Sequence, residues 1–286
     1  MSGLYTIPAD CCFVSTLAQG LWQRAAGDPM ALARMTVYVP TRRAARHLRE
    51  AFLRVTGAKA ALLPRMKPLG DVDEVDLDFA GVDALGQALP AIAPLRRQML
   101  LTRLVLAKNR VMPLEQAASL AKALAGLLDQ VQTEGVSFAD LHRLVPEEYA
   151  KHWQDTLAFL GLVTKLWPSV LAEEGCLDPA ERRTMALEAQ AQLWREAPPC
   201  DPVIAAGSTG SVPAVGRLMG VIAALPCGEV VLPGLDVDME AQAWEAVSET
   251  HPQFMMKKWL ETVGAGREEV KLWDGVPGVR RARVRL

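Results

Sequence analysis

Charge of one sign is what this sequence conspicuously lacks: 31 Lys and Arg stand against 33 Asp and Glu, leaving 286 residues with a net charge of -2. That balance excludes a protein that coats nucleic acid over its whole surface, so any basic function must be local. Cysteine is scarce and odd in number. Cys11, Cys12, Cys176, Cys200 and Cys227 show no metal-ligand spacing and no nearby His partner, so reduced thiols are expected and a metal site is not. No apolar run is long enough to cross a bilayer, and the opening MSGLYTIPADCC lacks the basic-then-apolar order of a signal peptide. The chain is therefore expected to have no membrane partner and to stay in the cytoplasm. Half of it is hydrophobic, enough to bury the core of one large or two modest domains.

The most informative stretch is MTVYVPTRRAARHLREAFL, from Met35 to Leu53. Thr36, Val37, Tyr38 and Val39 are β-branched or aromatic and predict a strand, which Pro40 ends by removing a backbone donor. Thr41 then caps a helix. Ala44, Ala45, Leu48, Phe52 and Val55 recur at helical spacing and predict its buried face, whereas Arg42, Arg43, Arg46, Arg49 and Arg54 fall on the other flank. A hydroxyl, backbone amides and guanidinium groups at one sheet edge suit a phosphate chain. A plain solvated basic face is the competing reading. Two further basic patches are expected at Arg96–Arg97 and at Arg280, Arg281, Arg283 and Arg285.

Three stretches follow from texture. Residues 1–94 read as the first part of an α/β domain, residues 95–199 as an inserted helical subdomain, and residues 200–286 as the return to the α/β domain. Within the first, LLPRMKPLGDVDEVDLDF reads as irregular chain. Its Asp71, Asp73, Glu74, Asp76 and Asp78 form an exposed connector in preference to a metal site, since the EF-hand pattern is not met. In the second, LRRQMLLTRLVLAK is one helix, and Pro113 with Glu115 opens another that Gly135 closes. Ser137 starts a further turn in SFADLHRL. Trp153, Leu157, Leu160, Val163, Leu166 and Trp167 are the core candidates of the next helix. Asp178 with Pro179 caps the last, from which Met185, Leu187 and Leu193 face inward. His142 and His152 lack a nucleophile or second ligand at a useful spacing and are expected to be surface or interface residues.

In the third stretch PVIAAGSTGSVPAVGRLMGVIAAL predicts a buried strand, a small-residue turn and a helix, and GEVVLPGLDVD a second strand. Small residues opening a helix can cradle phosphate. Gly207-Ser208-Thr209-Gly210-Ser211 nevertheless lacks the lysine and the glycine spacing of a Walker A loop.

Several segments together carry a resemblance. VYVPTRRAARHLREAFL is similar to motif Ia of superfamily 1 helicases, which meets single-stranded DNA. With ALLPRMKPLGDVDE, PAIAPLRRQMLLTRLVL and VIAAGSTGSVPAVGRLMGVIAALPCGEVVLPGLD it resembles, in order, the N-terminal region of the AddB family in its alphaproteobacterial form. These are subunits of the AddAB helicase–nucleases, which resect double-strand DNA breaks. The resemblance spans nearly all of this chain and only about the first third of the family's length.

That resemblance implies a degenerate RecA-like, P-loop NTPase-like, superfamily 1 helicase-like parallel sheet with an inserted helical subdomain. A Walker A loop would lie near residues 6 to 16, but TIPADCCFVST has neither glycine nor lysine, and no Asp-Glu pair follows an apolar strand ahead of Val203. The 207–211 turn takes the place of motif III and offers only Ser, Thr and Gly. The expectation is a scaffold that binds DNA without hydrolysing ATP. Thr41, Arg42, Arg43 and Arg46 match the DNA-contacting motif, and Ser208 and Thr209 are further candidates that do not match it.

AddA is the implied partner and motor, and single-stranded and broken double-stranded DNA the implied ligands. The family's iron–sulfur cluster, magnesium and nuclease residues lie in a C-terminal region absent here, so no catalytic residue and no cofactor is expected in this chain. GVRRARVRL reads as the first turns of a helix that stops, and the chain is expected to be a piece of a longer protein. A docking module that never touches DNA, and an α/β protein binding nucleotide at the 207–211 turn, are the alternatives.

Overall fold

The computed structural model describes residues 3–57, 62–69, 89–136, 160–161 and 165–276. The acidic run 71–78, His142, His152, Trp153, Leu157, Val163, the 137–144 turn and the closing arginines lie outside them. The described residues fall in two compact units, one drawn from Met1–Ala80, Gln190–Ser211 and Val215–Leu286, the other from Gly81–Ala189 and Val212–Ala214.

The first unit is α/β, built on a six-stranded, all-parallel sheet. Its strands are β1 (Leu4–Ile7), β2 (Thr36–Val39), β3 (Arg65–Pro68), β4 (Val203–Ala206), β5 (Gly228–Pro233) and β6 (Lys271–Leu272), in the order β3-β2-β4-β5-β1-β6. From β1 the chain moves past β5 and β4 to β2 and on to β3. It then returns across the sheet to β4, β5 and β6. Right-handed crossovers running in opposite directions place helices on opposite faces.

One face is covered by α1 (Phe13–Arg24), the short α2 (Pro29–Arg34) and α3 (Arg42–Thr56). Leu17 and Leu21 of α1 and Ala45, Leu48 and Phe52 of α3 are buried in one core with Ile7, Val37, Val39, Ile204, Ala206 and Val231. Strand alternation turns Tyr38 to the other face, where its ring meets Trp194 edge-on at 5.7 Å. Trp194 belongs to helix Pro179–Glu196.

The reading of LLPRMKPLG as irregular chain requires correction. Arg65–Pro68 is β3, which pairs in parallel with β2 from Thr36↔Arg65 to Val39↔Pro68. As an edge strand it tolerates prolines that a central ladder would reject. Its pairing is supplied by β2, a partner that local sequence does not reveal.

At the other edge, β6 and the turn after it strap α1. The Trp273 indole lies on Gly20, and a Cβ at that glycine would stand 2.1 Å from Trp273 Nε1. Gly20→Ala is therefore expected to cost about 1–3 kcal/mol of stability by overpacking, read as a lower urea midpoint. An unchanged midpoint would show that the strap yields freely.

Arg24 completes this corner. Its guanidinium stacks on Tyr5 and Trp273 at 4.6 and 4.1 Å from the ring centroids, pairs with Glu229 and reaches Asp274 at 2.8 Å. Burial pushes the Glu229 carboxyl above its ordinary value, and the neighbouring Arg24 only partly opposes this. A carboxyl raised on folding holds its proton better in the folded state, so its contribution to stability falls as pH rises from the ordinary carboxylate value through the folded one. Glu229→Gln should remove that decline. The test is the difference between parent and variant urea midpoints across about pH 4 to 7, and a parent that gains stability relative to the variant with rising pH would contradict it.

The second unit is helical. α4 (Pro94–Lys108) and α5 (Leu114–Glu134) pack together through Leu100, Leu101 and Val105 against Ala117, Ala121, Leu124 and Leu128, joined by Trp167 and Leu171. Gly135 ends α5 in the left-handed conformation. Trp167 is buried, as its place among the core candidates requires, but Leu166 and Met185 are 42% and 43% exposed. Both sit on helices whose buried stripe is set by neighbours one position away, Trp167 and Ala186.

The Arg96–Arg97 patch is also corrected. Arg96 pairs with Glu174 at 2.6 Å. Arg97 is buried, meeting Asp129 at 2.9 Å and Asp178 at 2.7 Å. Asp178, fully buried, further accepts hydrogen bonds from Trp167 Nε1 at 2.7 Å and Gln132 Nε2 at 3.1 Å. Its carboxylate thus organises the interior of the unit.

Candidate nucleic-acid interface

In an open α/β sheet, ligands bind outside the carboxyl ends of the strands, where neighbouring strands send their chains to opposite faces. Two such places exist here. β1 and β5 form one, and β2 and β4 the other.

The β1/β5 end is closed by the chain itself. Thr6, fully buried, donates its hydroxyl to Leu232 O at 3.1 Å and accepts from Leu235 N at 3.0 Å. Gly234 N donates to Ile7 O at 2.8 Å, and Ala9 lies so close that a Cβ on Gly234 would meet its Cβ at 3.3 Å. Asp10, a negative group, precedes α1, whose N-cap is Cys12. Hydrogen bonds from Ser15, foremost its side chain, hold the exposed Cys12 thiol below its ordinary value.

The β2/β4 end carries the residues singled out in the sequence. In register, Tyr38 pairs with Ala205, so Pro40 and Gly207 follow side by side. A Cβ on Gly207 would indeed stand 3.5 Å from Pro40 Cδ. Thr41 and Ser208 are the next residues on each chain, brought to one edge although 167 positions apart in sequence (208 minus 41). Gly207 has φ +82°, which admits the sharp exit from β4 and which a side chain would strain.

Thr41 is extended and its Oγ1 accepts from Ala44 N at 3.1 Å, capping α3. That bond leaves the hydroxyl proton to donate outward. Ser208 Oγ accepts from Gly210 N at 3.3 Å, bending the turn, and Thr209 is half-buried beside it. Arg42, Arg43 and Arg46 are all exposed on the first turns of α3, and Arg43 and Arg46 form no ion pair among the described residues. No acidic residue occupies the first turn. Cations there oppose the helix dipole, so this helix end concentrates positive potential.

The arrangement can hold a polyanion: two hydroxyl-bearing turns lie at one edge, with helix amides and exposed guanidinium groups on the helix that starts there. Neither turn carries a lysine. Among the described residues no group of three or more His, Cys, Asp or Glu could hold a metal ion.

Sequence reasoning missed Phe13. Its ring closes on this same crevice, Cε1 standing 3.1 Å from where a Gly207 Cβ would be. The signal available was an aromatic opening an apolar helix immediately after β1. No protein-family model and no curated protein matches the chain.

Proposed function

We propose that this chain is the non-catalytic, helicase-like portion of a DNA double-strand break repair helicase–nuclease subunit, a degenerate RecA-like domain that guides or recognises single-stranded DNA and docks on the motor subunit AddA. The observation that carries this reading is the meeting of Thr41, Ser208 and Thr209 at one switch point beneath the exposed Arg42, Arg43 and Arg46. The parallel, doubly wound sheet supports the RecA-like assignment. The packing of Ala9 on Gly234 supports the loss of a nucleotide site, because a phosphate loop would need that space.

On this reading ATP hydrolysis belongs to AddA, and the nuclease, its magnesium and the iron–sulfur cluster belong to a C-terminal region outside this chain. The protein works in the cytoplasm, where broken DNA is resected. Among the described residues no helix is long and apolar enough to cross a membrane.

The test is fluorescence anisotropy of a labelled single-stranded oligonucleotide at several salt concentrations. Affinity that falls with salt, by a log–log slope of about -0.7 for each phosphate neutralised, supports the reading. No binding at low salt overturns its DNA arm. A docking role without DNA contact is then favoured by a separate observation: Leu95, Met99, Val111 and Leu114 of the helical unit are exposed apolar side chains. Co-elution with AddA would measure it.

A further inference from the structure

Phe13 has no part in the phosphate-binding geometry, yet its half-buried ring lies at the β2/β4 crevice, whereas Trp259, which packs on Gly210 of the same turn, is buried. We propose that Phe13 is a base-stacking platform, so that the ligand of this edge is a single strand whose bases are unstacked and splayed, not a duplex read through its backbone alone. The inference rests on the DNA-binding reading above and names the residue that would hold the bases of the single strand.

The geometry is specific. Phe13 Cε1 and Cζ lie 3.1 and 3.5 Å from the point where a Gly207 Cβ would be, and Pro40 Cδ lies 3.5 Å from that point. The ring is therefore seated on the last residue before each hydroxyl turn, one step from Thr41 on one chain and one step from Ser208 on the other. A backbone following Thr41, Arg43 and Arg46 would carry its bases past this ring. Phe52, which serves only the core, is fully buried, whereas Phe13 packs on the same core but stays half-buried at the rim. Gly207 lets the ring seat closely on the end of β4, since a Cβ there would stand only 3.1 Å from Phe13 Cε1.

Phosphate contacts alone do not separate single strands from duplex. An aromatic face does, because every unpaired base offers it a π surface while paired bases keep theirs within the stack. The chemistry of the crevice is thus that of single-strand binders, a cationic track beside an aromatic step.

The experiment uses the full chain and three forms: parent, Phe13→Leu and Phe13→Tyr. Leucine keeps the apolar seal on Gly207 and removes the π face, whereas tyrosine keeps both. Equal thermal melts of the three forms establish that the seal is intact, and tyrosine is the decisive comparison if leucine lowers the melt. Affinity for a single strand carrying one 2-aminopurine is read by anisotropy, and stacking by quenching of the 2-aminopurine.

The expected result is a roughly tenfold weaker Kd for Phe13→Leu with an unchanged salt slope and loss of the quench, and parent-like values for Phe13→Tyr. Salt-sensitive binding by the parent with Kd and quench unchanged in Phe13→Leu overturns the stacking role and leaves the DNA-binding reading standing. Absence of binding by the parent overturns both. Parent affinity equal for duplex and single strand also overturns the inference.

Discussion

Replacing Arg43 and Arg46 together with glutamate is expected to weaken single-stranded DNA binding by roughly 100-fold at low salt and to flatten its salt dependence by about 1.5 in log–log slope. Each arginine that meets a phosphate releases counterion when it binds, so removing two such contacts removes their share of the slope. Reversal of sign adds repulsion at the mouth of the crevice. The variant should fold at least as well as the parent, and this separates the effect from unfolding. α3 begins with Arg42 and Arg43 and carries no acid in its first turn, an arrangement that opposes the helix dipole. Glutamate at Arg43 reverses that conflict and contributes about 0.3–1 kcal/mol of helix stability.

A melt equal to or above the parent's, with DNA binding lost, is therefore the full expected signature. The idea is sunk by a variant that keeps both the affinity and the slope of the parent. Exposure of both side chains makes a structural explanation of any loss difficult to sustain. In this helix the local conflict between charge and dipole is the cost of presenting cations at the sheet edge, and local conflicts of that kind concentrate at functional positions.

Arg97→Met is expected to destabilise the helical unit by about 3–5 kcal/mol. The methionine fills similar volume, so the loss comes from electrostatics and not from a cavity. Without the guanidinium, Asp178 remains a fully buried carboxylate facing, among the described residues, Trp167 and Gln132, and Asp129 loses a partner at 2.9 Å. A buried charge deprived of its counter-ion carries its whole desolvation cost. The double variant Arg97→Met with Asp178→Asn should recover a large part of the loss, because asparagine removes the charge and its side-chain carbonyl can still accept from Trp167. Urea unfolding followed by tryptophan emission measures both forms. If the double variant is no more stable than Arg97→Met, the cost does not arise from an uncompensated charge. Distant from α3 in sequence and drawn into the other unit, this cluster also serves as a control: its loss should not alter the salt slope of DNA binding by molecules that remain folded.

How much of this was legible in advance varies by element, for physical reasons. α3 was largely readable. Thr41 caps it, Ala45, Leu48 and Phe52 are buried with Ala44 and Val55 half-buried against the same core, and Arg42, Arg43, Arg46, Arg49 and Arg54 are exposed. All of these follow from a 3.6-residue period and local capping chemistry, which a linear sequence carries in full. β2, β4 and β5 were readable for the same reason, as short β-branched runs closed by proline or glycine. α4 and α5 likewise followed from their Ala- and Leu-rich period and from Gly135.

β3 was not readable, because RMKP has no strand pattern of its own and becomes a strand only by pairing with β2. Arg97 was misplaced for a related reason. Charge predicts exposure until a partner 81 positions away, Asp178, offers a buried counter-ion. Of the candidate site, the residue types on each turn were visible separately, but nothing in their spacing joined Thr41 to Ser208 or set Phe13 beside Gly207.

The sequence by itself thus determined the periodic helices, the short apolar strands, the caps that bound them and the chemistry each turn can offer, since these depend on residues within a few positions of one another. Only the tertiary structure decided which turns meet. Parallel pairing of β2 with β4 and winding of the chain to both faces create the crevice, and those are long-range choices made by the packing of the whole sheet.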